Sequence, residues 1–179
     1  MISKHIIRGG KIMKIEVKEF KNSIQPSPYL VVSCHNEEGE YNALAVAYAC
    51  NCSFDPPMVM VGIVPSRYSY NMVKETGEFV VNLASEELEK ELNYLGSNSG
   101  RDEDKLEQLE LDYIEGEEIS APILNDFPVN IECKVIDSIK TGSHEMFVGK
   151  IEYIHCDEEL VSEDGKIDFD KINLLYGRK

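Results

Sequence analysis

A run of small residues broken by polar ones, Asn42-Ala-Leu-Ala-Val-Ala47, is followed by Asn51, Cys52 and Ser53 and, one short apolar stretch later, by Ser66-Arg-Tyr-Ser69. Side chains no larger than alanine let a flat ring approach the backbone. Two hydroxyls and a guanidinium at a helix start suit a dianionic phosphate, because the free N–H groups and the helix dipole there favour an anion. Together the two features describe a seat for a phosphorylated aromatic cofactor. Each also has a plainer reading: small apolar residues fill any tight barrel core, and Ser66 caps a helix beside a surface Arg67.

The polar interruptions point toward a ligand. Asn42, Asn51 and Ser53 stand where a buried strand would hold apolar residues, and buried polar groups need partners. A ring edge supplies them. Lys105, in Gly100-Arg-Asp-Glu-Asp-Lys105, is either a surface helix residue or a further cation for the same phosphate. Cys50 and Cys52 alternate onto one strand face, as two packed thiols or as a soft-metal or redox pair.

Other chemistries lack their residues. There is no G-x-G-x-x-G after a strand, no G-x-x-x-x-G-K-[ST] loop and no G-x-S-x-G elbow. His144-Glu145 begins as a zinc-protease helix would, but Val148 stands where the second histidine belongs. His5, His35 and His155 are scattered, and His155-Cys156 alone closes no zinc site, so no metal is expected.

Bulk properties narrow the partners. A chain of 179 residues fits one domain with a real core. Its 33 acidic and 18 basic residues give a net charge of −15, which repels nucleic acid and anionic lipid, so neither is expected as a partner. Five cysteines, odd in number and without a C-x-x-C pair, argue against a disulfide framework and for a reducing, cytoplasmic setting. The first residues carry no apolar signal core or spanning segment. Residues 1–12 are expected to be an extension or tag, and 13–179 a single domain opening on a strand at Lys14–Val17.

The elements that must position these residues are mostly strands. Short β-rich runs at 29–34, 58–64 and 78–83 are bounded by turn residues, and 129–139 and 145–154 read likewise around a hairpin connection at 140–144. Glu37-Glu-Gly-Glu40 is another turn. Ser85 is predicted to cap a helix with Leu88, Leu92 and Leu95 along one face. Asp102 is predicted to cap a second with Leu106 and Leu109, and Ser66 a third through Asn71 and Val73. Residues 96–100 read as a flexible link, and 157–170 as charged surface. Strands close in sequence with short turns favour an antiparallel barrel or sandwich, mainly β, with small peripheral helices.

The chain resembles the flavin reductase-like and flavoredoxin proteins with an FMN-binding split barrel, over about 28–154. The resemblance rests on Asn42 with its small-residue strand, Ser53-Phe-Asp-Pro-Pro57, Ser66-Arg-Tyr-Ser69 and Gly77-Glu-Phe-Val-Val-Asn82. It continues in Gly96-x-x-Ser-Gly-Arg-x-x-x-Lys105 and Gly142-Ser-His-x-x-Phe-Val-Gly149. It implies a Greek-key split β-barrel, a homodimer and FMN. By the same resemblance Asn42, Ala43, Leu44, Ala45, Val46 and Ala47 line the flavin, and Asn51, Cys52 and Ser53 meet its ring edge. Ser66, Arg67 and Ser69 take the phosphate; Ser99, Gly100 and Lys105 close over the cofactor; His144 sits over the ring as the catalytic residue that orients the electron donor, or is a plain hairpin histidine. The chain departs from the family pattern at Ala45, Ala47 and Tyr48, where relatives often carry Thr or Ser, and at Ser143, where reductases usually carry Asp. The implied activity is an FMN-dependent oxidoreductase using NADH or NADPH. The alternatives are a flavoredoxin-type electron-transfer protein reduced by a redox protein, and a non-enzymatic FMN-binding dimer module.

Overall fold

The computed structural model describes residues 16, 18, 20, 21 and 23–177. The expected extension at 1–12 lies outside these residues, as does all of the expected strand at 14–17 except Glu16. The strands are β1 (Leu30–His35), β2 (Tyr41–Val46), β3 (Ala49–Ser53), β4 (Met58–Ile63), β5 (Glu78–Leu83), β6 (Tyr113–Ile114), β7 (Ile123–Leu124), β8 (Val129–Thr141) and β9 (His144–Cys156). Among the described residues three α-helices accompany them: α1 (Tyr68–Thr76), α2 (Glu89–Ser97) and α3 (Lys105–Gln108).

Seven strands form one sheet in the order β2-β1-β5-β8-β9-β4-β3, and every pairing is antiparallel. The two edge strands, β2 and β3, are neighbours in sequence, joined only by Ala47 and Tyr48. So short a link draws both edges of the sheet together and curls it into a barrel. The Gly62 N–H donates to the Tyr48 carbonyl at 2.7 Å and fastens this elbow to β4. A Cβ at Gly62 would lie 2.7 Å from the Met146 sulfur and 3.1 Å from the Tyr48 Cβ, so only glycine allows the approach. The fold is thus mainly antiparallel β with few short helices.

The alternation of each strand builds the interior. Leu30, Val32, Cys34, Leu44, Val46, Val59, Val61, Ile63, Phe79, Val81 and Phe147 point into the barrel, and α1 closes one mouth with Tyr70, Met72 and Val73. A second core lies outside β1 and β2, where Leu92, Leu95 and Leu106 of α2 and α3 cover Val31 and Ala43. Leu92, Leu95 and Leu106, expected along helix faces, are buried there.

Several local expectations are corrected. The N-cap of α1 is Arg67, with no side-chain cap bond, because the turn from Val64 to Arg67 delays the helix by one residue beyond Ser66. Asp104, and not Asp102, caps α3: its Oδ1 accepts from Leu106 N–H at 3.0 Å and Glu107 N–H at 3.1 Å, while the Asp102 N–H closes a turn onto Ser99. Ser85 precedes a 3₁₀ turn, Glu86–Leu88, without a side-chain bond, and α2 begins only at Glu89. Gly96 and Ser97 belong to the last turn of α2 and not to a link. The hairpin connection shrinks to Gly142 and Ser143 because β8 and β9 pair out to Thr141 and His144. Within 157–170, Leu160 is buried against Val129 and Ile172.

Candidate functional site

Four elements converge on one cleft of about 110 Å³. From β2 come Asn42, Leu44 and Ala45; from the start of α1, Ser66, Arg67, Tyr68 and Ser69. Leu95 and Gly96 end α2 there, Asn98 to Arg101 follow, and Lys105 enters from α3. The wall is bare where Gly96 meets Ala45: a Cβ on Gly96 would lie 3.0 Å from that of Ala45. Gly100 is held to glycine by Asn42, whose Oδ1 would be 2.5 Å from an added Cβ.

The cleft is built for negative charge. Lys105 is only 3% exposed, and its ammonium donates to the carbonyls of Ala43 at 2.5 Å and Leu95 at 3.0 Å. Two of its three N–H groups are thereby used, and among the described residues no carboxylate pairs with it. Burial pushes its pKa down to about 8, with Arg67 adding to the fall and Glu103 opposing it. A buried cation without a counter-ion is costly, and an anion in the cleft would offset that cost.

The helix end adds to the field. The nine-residue α1 starts without a side-chain cap and without an acid in its first turn, so its positive end faces the cleft unneutralised. Ser69 is buried, and its Oγ accepts from Asn42 Nδ2 at 2.6 Å, which fixes both groups at the floor. Arg101 donates through Nη1 to the Ser66 carbonyl at 3.0 Å and lies over the Tyr68 ring at 5.5 Å. Beneath them the buried Cys34 thiol is pushed up to about 12 by burial and stays neutral. These donors and cations fit a phosphate.

Of the sequence-predicted residues, Asn42, Leu44, Ala45, Ser66, Arg67, Ser69, Ser99, Gly100 and Lys105 meet in this cleft. The side chain of Ala43 points into the outer core, and its carbonyl holds Lys105. Val46 packs inside the barrel. Ala47, Asn51 and Cys52 are exposed and Ser53 half-buried, all away from the cleft lining. Asn51 borders a separate apolar cavity of about 220 Å³ with Leu30, Val59 and Phe169, and Cys52 is the extra residue of a bulge against β4.

His144 is half-buried at the start of β9. Its ring packs against Tyr48 at 4.7 Å and 60°, and Nδ1 is 2.8 Å from Ser143 Oγ. The pairing Ile63↔Glu145 sets His144 beside the end of β4 from which the chain runs to Ser66 and Arg67. Sequence reasoning missed Tyr68, Leu95, Gly96, Asn98 and Arg101 as lining residues. Four of them lie inside motifs already singled out, and Leu95 was assigned only to a core. Among the described residues no group of three or more His, Cys, Asp or Glu could hold a metal, and no helix is long and apolar enough to cross a membrane.

Comparison with known proteins gives a consistent picture. The model of the flavin reductase like domain matches residues 23–179. An uncharacterized protein of Archaeoglobus fulgidus is 34% identical over 157 residues, covering 87% of this chain and 86% of that one. The NADH:riboflavin 5'-phosphate oxidoreductase of Streptomyces pristinaespiralis is 24% identical over 129 residues, covering 69% and 67%. Among solved structures, the flavoredoxin of Desulfovibrio vulgaris (Miyazaki F) superposes with a TM-score of 0.83 at 28% identity, covering 93% of this chain and 94% of that chain.

Proposed function

The chain belongs to the flavin reductase-like family, and from that premise we propose that its cleft binds FMN and that it is an FMN-dependent oxidoreductase accepting electrons from NADH or NADPH. The observation that carries this reading is Lys105: a buried ammonium with no ion-pair partner among the described residues, facing the uncapped start of α1. FMN, when bound, supplies the two-electron chemistry itself. The protein's part is to hold, orient and shield.

Lys105, Arg67, Ser66 and the first N–H groups of α1 hold the phosphate. The bare wall at Ala45 and Gly96 admits the flat part of the ligand. His144, backed by Tyr48 on the adjoining elbow, orients the nicotinamide of the electron donor. None of these residues needs to act as a nucleophile. The exposed Ile136 and Ile139 on β8, with Tyr153 and Ile154 on β9, support a homodimer by offering apolar surface to a second copy.

A flavoredoxin-type carrier is the second reading, favoured by Ser143. A hydroxyl, and not a carboxylate, meets His144 Nδ1, which leaves the ring without the fixed tautomer that a neighbouring acid would impose. An absorbance spectrum of the protein with FMN, before and after NADH, separates the two. Rapid bleaching supports the reductase, and bleaching only with a reduced protein partner supports the carrier. Protein that does not turn yellow with added FMN refutes both.

A further inference from the structure

The Tyr70–Glu145 pair joins the anion end of α1 to the strand that carries His144. Glu145 is 2% exposed, and its Oε2 accepts from the Tyr70 hydroxyl at 2.5 Å. Lys74, one turn further along α1, donates to the Tyr70 oxygen at 2.9 Å and reaches Glu145 Oε2 at 3.5 Å. The other carboxylate oxygen accepts from Ser138 Oγ on β8 at 2.7 Å, so Glu145 is gripped by the hairpin on one side and the helix on the other. The core does not need this polar cluster: the Tyr70 ring already packs on Phe147 at 5.7 Å.

Its position in sequence gives the cluster a use. Tyr70 follows Ser69, which lines the cleft, and Glu145 follows His144. The route from cleft to histidine is therefore two covalent neighbours and one short hydrogen bond. We propose that Tyr70 and Glu145 are positioning residues: their bond couples anion binding at the start of α1 to the placement of His144. This rests on the anion reading of the cleft. An anion held by the N–H groups of α1 draws on the helix start, and the helix transmits that displacement through the Tyr70 hydroxyl to β9. Coupling of this kind is a free energy shared between two sites, so it is measurable from either end.

A competing frame exists in the backbone, since β4 pairs with β9 at Ile63↔Glu145 and leads on to Ser66. Tyr70→Phe separates the two routes. It removes the hydroxyl and keeps both the ring packing and the β4–β9 ladder. It also leaves the through-space field of a bound anion on His144 unchanged.

The test uses the full-length protein free of ligand, with inorganic phosphate as the probe. Phosphate binding is measured by calorimetry, and the His144 ring is followed by NMR, with its signal identified by His144→Gln. In the unsubstituted protein the His144 signal shifts with the same midpoint as phosphate binding. In Tyr70→Phe the phosphate affinity changes less than about threefold while the His144 shift falls below half its original size. An equal shift in Tyr70→Phe, or no shift on binding in the unsubstituted protein, overturns the coupling and leaves the anion site standing. Absence of phosphate binding in the unsubstituted protein removes the anion site and the coupling together.

Discussion

The Lys105 ammonium on α3 donates to the Ala43 carbonyl on β2 at 2.5 Å, and among the described residues no carboxylate forms an ion pair with it. The same contact pins the short helix to the small-residue strand and places a cation in the cleft. Lys105→Met keeps the side-chain length and removes the charge. FMN affinity, read by fluorescence quenching, is expected to fall more than about tenfold, while the melting temperature of ligand-free protein changes little, because relief of the charge's desolvation is offset by the donor that the Ala43 and Leu95 carbonyls lose. A lower melting temperature with unchanged FMN affinity would show Lys105 to be a structural peg only.

Arg67 is exposed and stands at the N-cap of α1, so its contribution to a phosphate is charge-assisted and screened by salt. Arg67→Ala is expected to weaken FMN binding by more than about tenfold at low ionic strength, and by less as salt is raised. Dissociation constants measured across a salt series check this. The same constant for both proteins would remove Arg67 from the site.

His144 lies outside the cleft lining, at the barrel end where β4 and β9 pair. His144→Ala is therefore expected to leave FMN affinity within about twofold and to slow reduction by NADH or NADPH. Stopped-flow absorbance reads both quantities. An unchanged reduction rate assigns the histidine to packing against Tyr48.

Much of the frame was legible because alternation in a half-buried strand is a direct imprint of its two faces. The predicted run at 78–83 is β5 to the residue, and the Leu92 and Leu95 stripe of α2 is buried. Helix starts were less legible, for a physical reason. Asp102 and Asp104 offer equal capping chemistry, and only the turn from Ser99 decides between them. The burial of Lys105 could not be read either. In sequence it is an ordinary amphipathic lysine, and it becomes a buried cation only where α2, α3 and β2 meet. The same holds for His144, whose neighbour Tyr48 comes from an elbow almost a hundred residues earlier. Asn51, Cys52 and Ser53 carried polar signals like that of Asn42, but β3 is an edge strand and leaves Asn51 and Cys52 exposed.

Away from the cleft, Glu132 makes the stability of the protein sensitive to acid. The carboxylate is fully buried; it accepts from the N–H groups of Glu117, Glu118 and Ile119 at 2.9, 2.9 and 3.1 Å and from His155 Nε2 at 2.5 Å. Burial pushes its pKa up, but the bond from His155 and those three N–H groups outweigh it and hold the carboxyl below its usual range. A carboxyl depressed in the folded state contributes stability that is fully present above the unfolded value, about 4.3, and is lost as pH falls through the folded value. Glu132→Gln keeps the shape and removes the charge, leaving at least one of these donors poorly paired. It is expected to cost about 1–3 kcal/mol at pH 7, because buried donors lose a charged acceptor. Urea unfolding at pH 7 and at a series of values below 4.5 checks this, and the gap between the two proteins narrows as the native carboxylate takes up its proton. A gap that stays constant across that range would mean that the loop at 116–119 is held by packing and not by the charge of Glu132.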